Sequence, residues 1–223
     1  MDIRKLLVMT GKKPIVPVAF DYATKTNHQN TTSITYTHVV GSGNNRILFV
    51  EVTTQYIASP YPIDHAVTCN GTPMTLLDSN NHASGFYHVL VFYLVNPTTG
   101  DNTIVASWTN AAMAVVGSKS LANVNQATPV GLVAKATGTS TTPSTTVASE
   151  IGNIVADVVF RPSSGAEITY AAGEGQTIRY QHSVLYQPSS AGSTKPGAIS
   201  TTMDWTLGAS AAWRAMSWDI KHA

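Results

Sequence analysis

From about residue 31 onward, the chain either alternates apolar and polar positions or runs through continuous β-branched and aromatic stretches. Clusters of Gly, Pro, Asn and Ser separate these runs. That punctuation predicts strands joined by turns. Residues 33–39 put Ile34, Tyr36 and His38 on one face and hydroxyls on the other, a half-exposed strand. Residues 46–52 are apolar on both faces as far as Glu51, the pattern of a strand covered on both sides. Asn70-Gly71 predicts a two-residue hairpin, because a type I′ turn needs positive φ at both central positions, and Pro73 puts the returning strand at an edge. Residues 86–95, FYHVLVFYLV, form the longest apolar run and predict a central core strand.

Residues 103–108 and 113–117 predict two further strands, with a loop at 123–126. Residues 132–136 and 153–160 predict core strands flanking a Ser/Thr-rich stretch, 138–149, which reads as an exposed loop and edge strand within one domain. In the last two runs Met203, Trp205 and Leu207 alternate, as do Arg214, Met216, Trp218 and Ile220. About a dozen strands without sustained helical spacing predict an all-β antiparallel sandwich.

Composition sharpens this picture. Charged residues make up only 11% of the 223 and apolar residues 43%, so the chain can bury a core beneath a neutral, hydroxyl-rich surface. Residues 1–13 hold four of the thirteen basic and one of the twelve acidic groups, which leaves the rest near −2. A nucleic-acid binder needs a far stronger basic face. No apolar stretch is long enough for a spanning helix, and Leu6-Leu7-Val8-Met9 is too short for the core of a signal peptide. Neither nucleic acid nor membrane insertion is expected.

Several stretches, taken in order, resemble one family of jelly-roll sandwich domains, concanavalin-like and laminin-G-like, found in phage structural proteins and bacterial surface proteins. They are VVGSGNNRILFVEV, VTCNGTPMTLLDS, VLVFYLVNPTTGDNTIVASW, NQATPVG, IGNIVADVV, GEGQTIRY and GSTKPGAISTTMDWTLGASAAWRAMSWDIK. The resemblance covers about residues 31 to 221. It implies an antiparallel jelly-roll β-sandwich, with residues 1–24 as an extended N-terminal arm and 25–223 as one domain. Such folds host sugar binding, adhesion and scaffolding alike, and the family supplies no catalytic motif to carry over.

The residues themselves point the same way. Glu167 and Glu174 are the only clustered acids in the second half and read as turn charges, and G-x-S-x-G is absent. Cys69 beside the hairpin reads as a small strand residue. Seven histidines never fall at compact metal-site spacings, and DSNNHASG (78–85) reads as an Asx-rich turn in preference to a calcium loop. No catalytic residue, metal or cofactor is expected. Sugar binding would use aromatic platforms; Tyr56, Tyr61, Tyr180 and Tyr186 lie in or beside polar stretches. Trp108, Trp205 and Trp218 are expected in the core and Trp213, out of phase with Trp218, at the surface.

Pro14, Pro17 and the β-branched residues around them favour an extended arm, suited to adding a strand to a partner's sheet or groove. The docking residues expected there are Arg4, Lys5, Leu6, Leu7, Lys12, Lys13, Ile15 and Val16. The function expected is that of a phage virion structural protein of the decoration, cement or fibre type, assembled in many copies with capsid or tail subunits in the host cytoplasm. The alternative is an adhesin module on an extracellular surface that binds cell-surface glycan.

Overall fold

The computed structural model of the protein describes residues 14–56, 60–163 and 166–223. Fifteen strands and no helix run through them. The first seven are β1 (Ala19–Val40), β2 (Ile47–Tyr56), β3 (Ile63–Cys69), β4 (Thr72–Pro73), β5 (Thr75–Ser79), β6 (Tyr87–Val95) and β7 (Gly100–Ala122). They form one antiparallel sheet. β8 (Val130–Ser140), β10 (Ile154–Arg161), β12 (Thr177–His182), β13 (Ser189–Pro196) and β15 (Ala211–Ile220) form a second, and β9 (Ser144–Val147), β11 (Tyr170–Ala172) and β14 (Thr201–Leu207) a third.

β1 and β7 pair almost end to end, from Ala19 opposite Ala122 to Val40 opposite Gly100. The ladder shifts register between His28 and Ser33, and Asn30 and Asn110 stand near that point with φ of 51° and 66°. Asparagine tolerates this left-handed region better than most residues, and bulges bend a ladder. The ribbon therefore folds over on its inner face. Ile104, Ala106 and Trp108 from one half of β7 meet Ala112, Ala114 and Val116 from the other in a single apolar cluster. β3 pairs with the first half of β7 and β2 with the second, so this one sheet supplies two layers.

The second sheet packs beneath the β2 half. Ile47, Phe49 and Leu121 meet Ala156, Val158, Met216 and Trp218, with the Phe49 and Trp218 ring centres 5.5 Å apart. At roughly 1.5–3 kcal/mol per large apolar side chain removed from water, this interface is a major source of cohesion between the sheets. The third sheet closes the stack: Trp205, Leu207 and Tyr170 cover Val159, Trp213 and Ala215. Layers two and three are thus covered on both faces. That explains why β2 buries both Ile47-Phe49 and Leu48-Val50, as its two-sided apolar pattern predicts.

Four expectations change. β6 lies second from the sheet edge, and β2 and β7 are the central strands. Residues 103–108 and 113–117 belong to one bent strand. β8 is an edge strand with Leu132 63% exposed. β1 starts at Ala19, inside the segment expected to be the arm; just before it Val18 is buried in the second apolar cluster and Asn123 Nδ2 donates to the Pro17 carbonyl. The Asn70-Gly71 hairpin and the edge position of β4 at Pro73 are found as predicted.

Two glycines make room where the layers approach. A Cβ on Gly117 of β7 or on Gly192 of β13 would collide with the Tyr180 ring that passes between them. Gly117→Ala is expected to cost about 1–3 kcal/mol through overpacking. Urea unfolding should read that loss, and Tyr180→Leu in the same chain should shrink it.

Candidate functional site

Several ionisable groups lie indoors. Between layers two and three, Glu51 and Lys119 are completely buried, with Lys119 Nζ 3.0 Å from Glu51 Oε1. The approach is Coulombic contact more than an aligned hydrogen bond, since neither Glu51 oxygen has a well-directed partner among the described residues. Lys119 Nζ donates instead to the Asp157 carbonyl at 2.6 Å and stands 5.2 Å from the Trp218 ring centre. Burial pushes the Glu51 carboxyl up from its ordinary value, and Lys119 pulls it partly back. Burial also raises Asp157, whose carboxylate accepts from Ser193 N, Ser193 Oγ and Trp205 Nε1, each at 2.7 Å. These groups join layers to one another.

The histidines between layers one and two are equally occupied. His38 contacts Thr24, Ser118 and Ser120 hydroxyls through its two ring nitrogens, and burial lowers its pKa to about 4. His65 contacts Thr54 Oγ1 at 2.9 Å and lies 4.8 Å from the His88 ring; burial, then His88, lowers it to about 3. Cys69 is buried against Asn102, and burial raises its thiol pKa. No group of three or more His, Cys, Asp or Glu able to hold a metal occurs among the described residues. In the 78–85 turn, Asp78 pairs with Lys135 at 2.9 Å and Asn80 clamps the Ala136 and Ala215 carbonyls, so those two candidate calcium ligands are committed elsewhere.

Solvent-facing chemistry gathers at the open end of the second interface. There a cleft of about 370 Å³ has Tyr87 and His82 on one side and Thr137, Thr139 and Arg214 on the other, with Phe160 between. Tyr87 and Phe160 point inward as continuations of the alternating rows that build the core, with ring centres 5.9 Å apart. Aromatic rings lead outward from it: Tyr87 to His82 at 5.3 Å, His82 to Phe86 at 5.6 Å, and Phe86 to Tyr61 at 5.3 Å and Tyr56 at 5.6 Å. A larger hollow of about 470 Å³ beside Lys25 and Gln181 is more polar and offers a flat aromatic face only at Tyr170, which is nearly all buried.

The expected glycan tyrosines therefore divide. Tyr56 and Tyr61 come together, centres 4.9 Å apart, and Tyr61 is 38% exposed. Tyr186 is 68% exposed in the turn between β12 and β13, with φ 60°, and makes no ring contact with that pair. Tyr180 is no glycan contact: it is buried between Gly117 and Gly192, and burial raises its pKa well above the ordinary value. Trp213, expected at the surface, is buried under layer four with Nε1 donating to Ser140. Of the arm residues, Ile15 and Val16 are exposed. Arg4, Lys5, Leu6, Leu7, Lys12 and Lys13 lie outside the described residues. The residues missed were Lys119, His82, Tyr87 and Arg214; the small neighbours Gly117, Ser118 and Ser120 were the available signal for a lysine packed indoors.

These observations define an all-β protein of antiparallel sheets, consistent with the jelly-roll-like β-sandwich expected. No family profile matches the chain, and no curated protein matches it. A chain in the crystal structure of cucumber necrosis virus superposes with a TM-score of 0.28 at 10% identity, covering 89% of this chain and 96% of that one. A TM-score this low carries over neither fold nor function.

Proposed function

We propose that the protein is a non-enzymatic structural component of a phage virion, of the decoration, cement or fibre type, present in many copies. It assembles with capsid or tail subunits in the host cytoplasm and stays with the particle. The observation that carries this reading is the outer edge of β1. Among the described residues this strand pairs with β7 alone, so one side of its 22 residues offers backbone donors and acceptors to a partner strand. Unpaired edges template further pairing. The basic segment 1–18 precedes that edge directly and docks the protein. The interior ion pair and histidines fit the same reading, because they hold layers together and leave the outer surface neutral.

Deleting residues 2–13 leaves every described strand intact and is expected to abolish incorporation into particles while the isolated protein still unfolds cooperatively. Quantitative protein staining of purified particles reads this directly. Normal incorporation of the truncated chain overturns the docking role.

A second reading, a glycan-binding module acting at an extracellular or particle surface, is favoured by one specific arrangement. It is the row of rings from Tyr61 through Phe86 and His82 into the cleft at Tyr87. Faces of this kind stack on sugar rings while a few polar groups fix orientation.

A further inference from the structure

The cleft is one-sided in its polar chemistry. Its lining offers Arg214, His82 and the hydroxyls of Thr137, Thr139 and Tyr87, and no carboxylate. Asn80 stands next to it, but its amide is spent: Nδ2 donates to the Ala136 and Ala215 carbonyls, each at 3.0 Å, and Oδ1 accepts from Arg214 Nη1 at 3.2 Å. Arg214 Nη1 also donates to the Asn81 carbonyl at 3.1 Å. The guanidinium is therefore held in place by one nitrogen, and its Nε and Nη2 have no hydrogen-bond partner among the described residues.

A neutral sugar presents hydroxyls that must donate as well as accept; the hydroxyls of Thr137, Thr139 and Tyr87 can receive part of that donation, but the lining has no carboxylate or free amide oxygen to serve as a stronger acceptor. A sugar carrying a carboxylate needs donors at its charged end. A fixed guanidinium supplies two of them in the plane of that carboxylate. The cleft of about 370 Å³ sits near the lower end of small-ligand sites, which span about 300–1,000 Å³, and so suits one or two sugar rings.

We propose that this cleft binds an acidic saccharide of the uronic-acid type. Its carboxylate lies on Arg214, its ring face lies on Tyr87, and the neighbouring units run outward over His82 and Phe86 towards Tyr61. This rests on the glycan-binding reading and names the class of glycan. It does not depend on the docking role of residues 1–18, because a virion component can carry such a site on its outward side.

The test compares tri-galacturonate with its neutral counterpart, a galactose trisaccharide, by isothermal titration calorimetry on the full chain. The acidic trisaccharide is expected to bind, with affinity falling as salt is raised, and the neutral one to bind at least tenfold more weakly. Arg214→Gln should lower affinity for tri-galacturonate at least tenfold. Because that change also releases Asn80, Ala212→Glu provides a second variant: Ala212 is exposed on the cleft wall, and a carboxylate there repels the ligand without touching the Asn80 clamp. An unchanged unfolding midpoint for Ala212→Glu with at least a tenfold loss of binding supports the proposal. Unchanged binding by that variant overturns it. Equal binding of the two trisaccharides also overturns it, while leaving the glycan reading in place. Binding of neither removes both.

Discussion

Replacing Lys119 with Met is expected to lower the unfolding free energy by about 3–5 kcal/mol, the usual cost of leaving a buried charge without its partner. Both members of the pair are completely buried, so water cannot take over the role of the ammonium. At about 2–4 °C per kcal/mol for a chain of this size, the unfolding midpoint should drop by roughly 6–20 °C. The loss should depend on pH in a definite sense. Burial already raises Glu51 and Asp157, and Lys119 is the largest influence pulling each back down, ahead of the hydrogen bonds from Ser193 and Trp205 to Asp157. A carboxyl whose folded pKa is raised keeps its full stability contribution below its unfolded value and loses it as pH rises through the folded one. Without Lys119 both rise further, so the deficit should be larger at pH 8 than at pH 5. Urea unfolding at those two pH values checks this, and a deficit independent of pH would contradict it. Adding Glu51→Leu to Lys119→Met should recover most of the loss, since a well-packed apolar pair can match a buried ion pair.

On the acid side the opposite sign governs. His38 and His65 are held neutral, with pKa values lowered to about 4 and about 3. A histidine lowered in the fold contributes stability that is present above its unfolded value near 6.5 and is lost as pH falls towards the folded one. At about 1.36 kcal/mol per pH unit, His38 accounts for ~3 kcal/mol by pH 4, and His65, which is partly exposed, for at most ~5 kcal/mol by pH 3. That is comparable with the whole net stability of a typical domain, about 5–15 kcal/mol. The protein is therefore expected to unfold in acid, with its midpoint falling steeply between pH 6.5 and 4. Thermal unfolding of His65→Phe, which keeps a ring against His88 and Trp108 but cannot titrate, should show a shallower acid limb. Parallel acid limbs for the two proteins would contradict this.

Much of the architecture was legible because strand periodicity is local. β2 announced itself as covered on both faces, and the Asn70-Gly71 turn fixed the hairpin. What stayed hidden depended on layers far apart in sequence. Thr109-Asn110 looked like a turn between strands because a polar pair with a residue at positive φ has the same signature as a bend within one. Trp213 does face away from Trp218, as its register requires, but β11 and β14 cover that side. Tyr180 sits in a polar stretch, and only the glycines of two other strands reveal its slot. Lys119 had only its small neighbours to mark it as a core residue, since a lone lysine is nearly always at the surface and its partner Glu51 lies on another strand. The cleft has the same character: Tyr87, Phe160 and Arg214 come from three strands and mean nothing until they meet.

The β1–β7 ribbon also sets a timetable. Ala19 finds its partner in Ala122, so during synthesis β1 waits more than a hundred residues for its neighbour. Closing so large a loop costs entropy before any contact repays it, and folds dominated by such pairings form slowly. During that interval an apolar strand would invite aggregation. The middle of β1, residues 24–33, is Thr, Asn, Gln, Ser, Lys and His without one apolar residue, and can stay in water until β7 has been made.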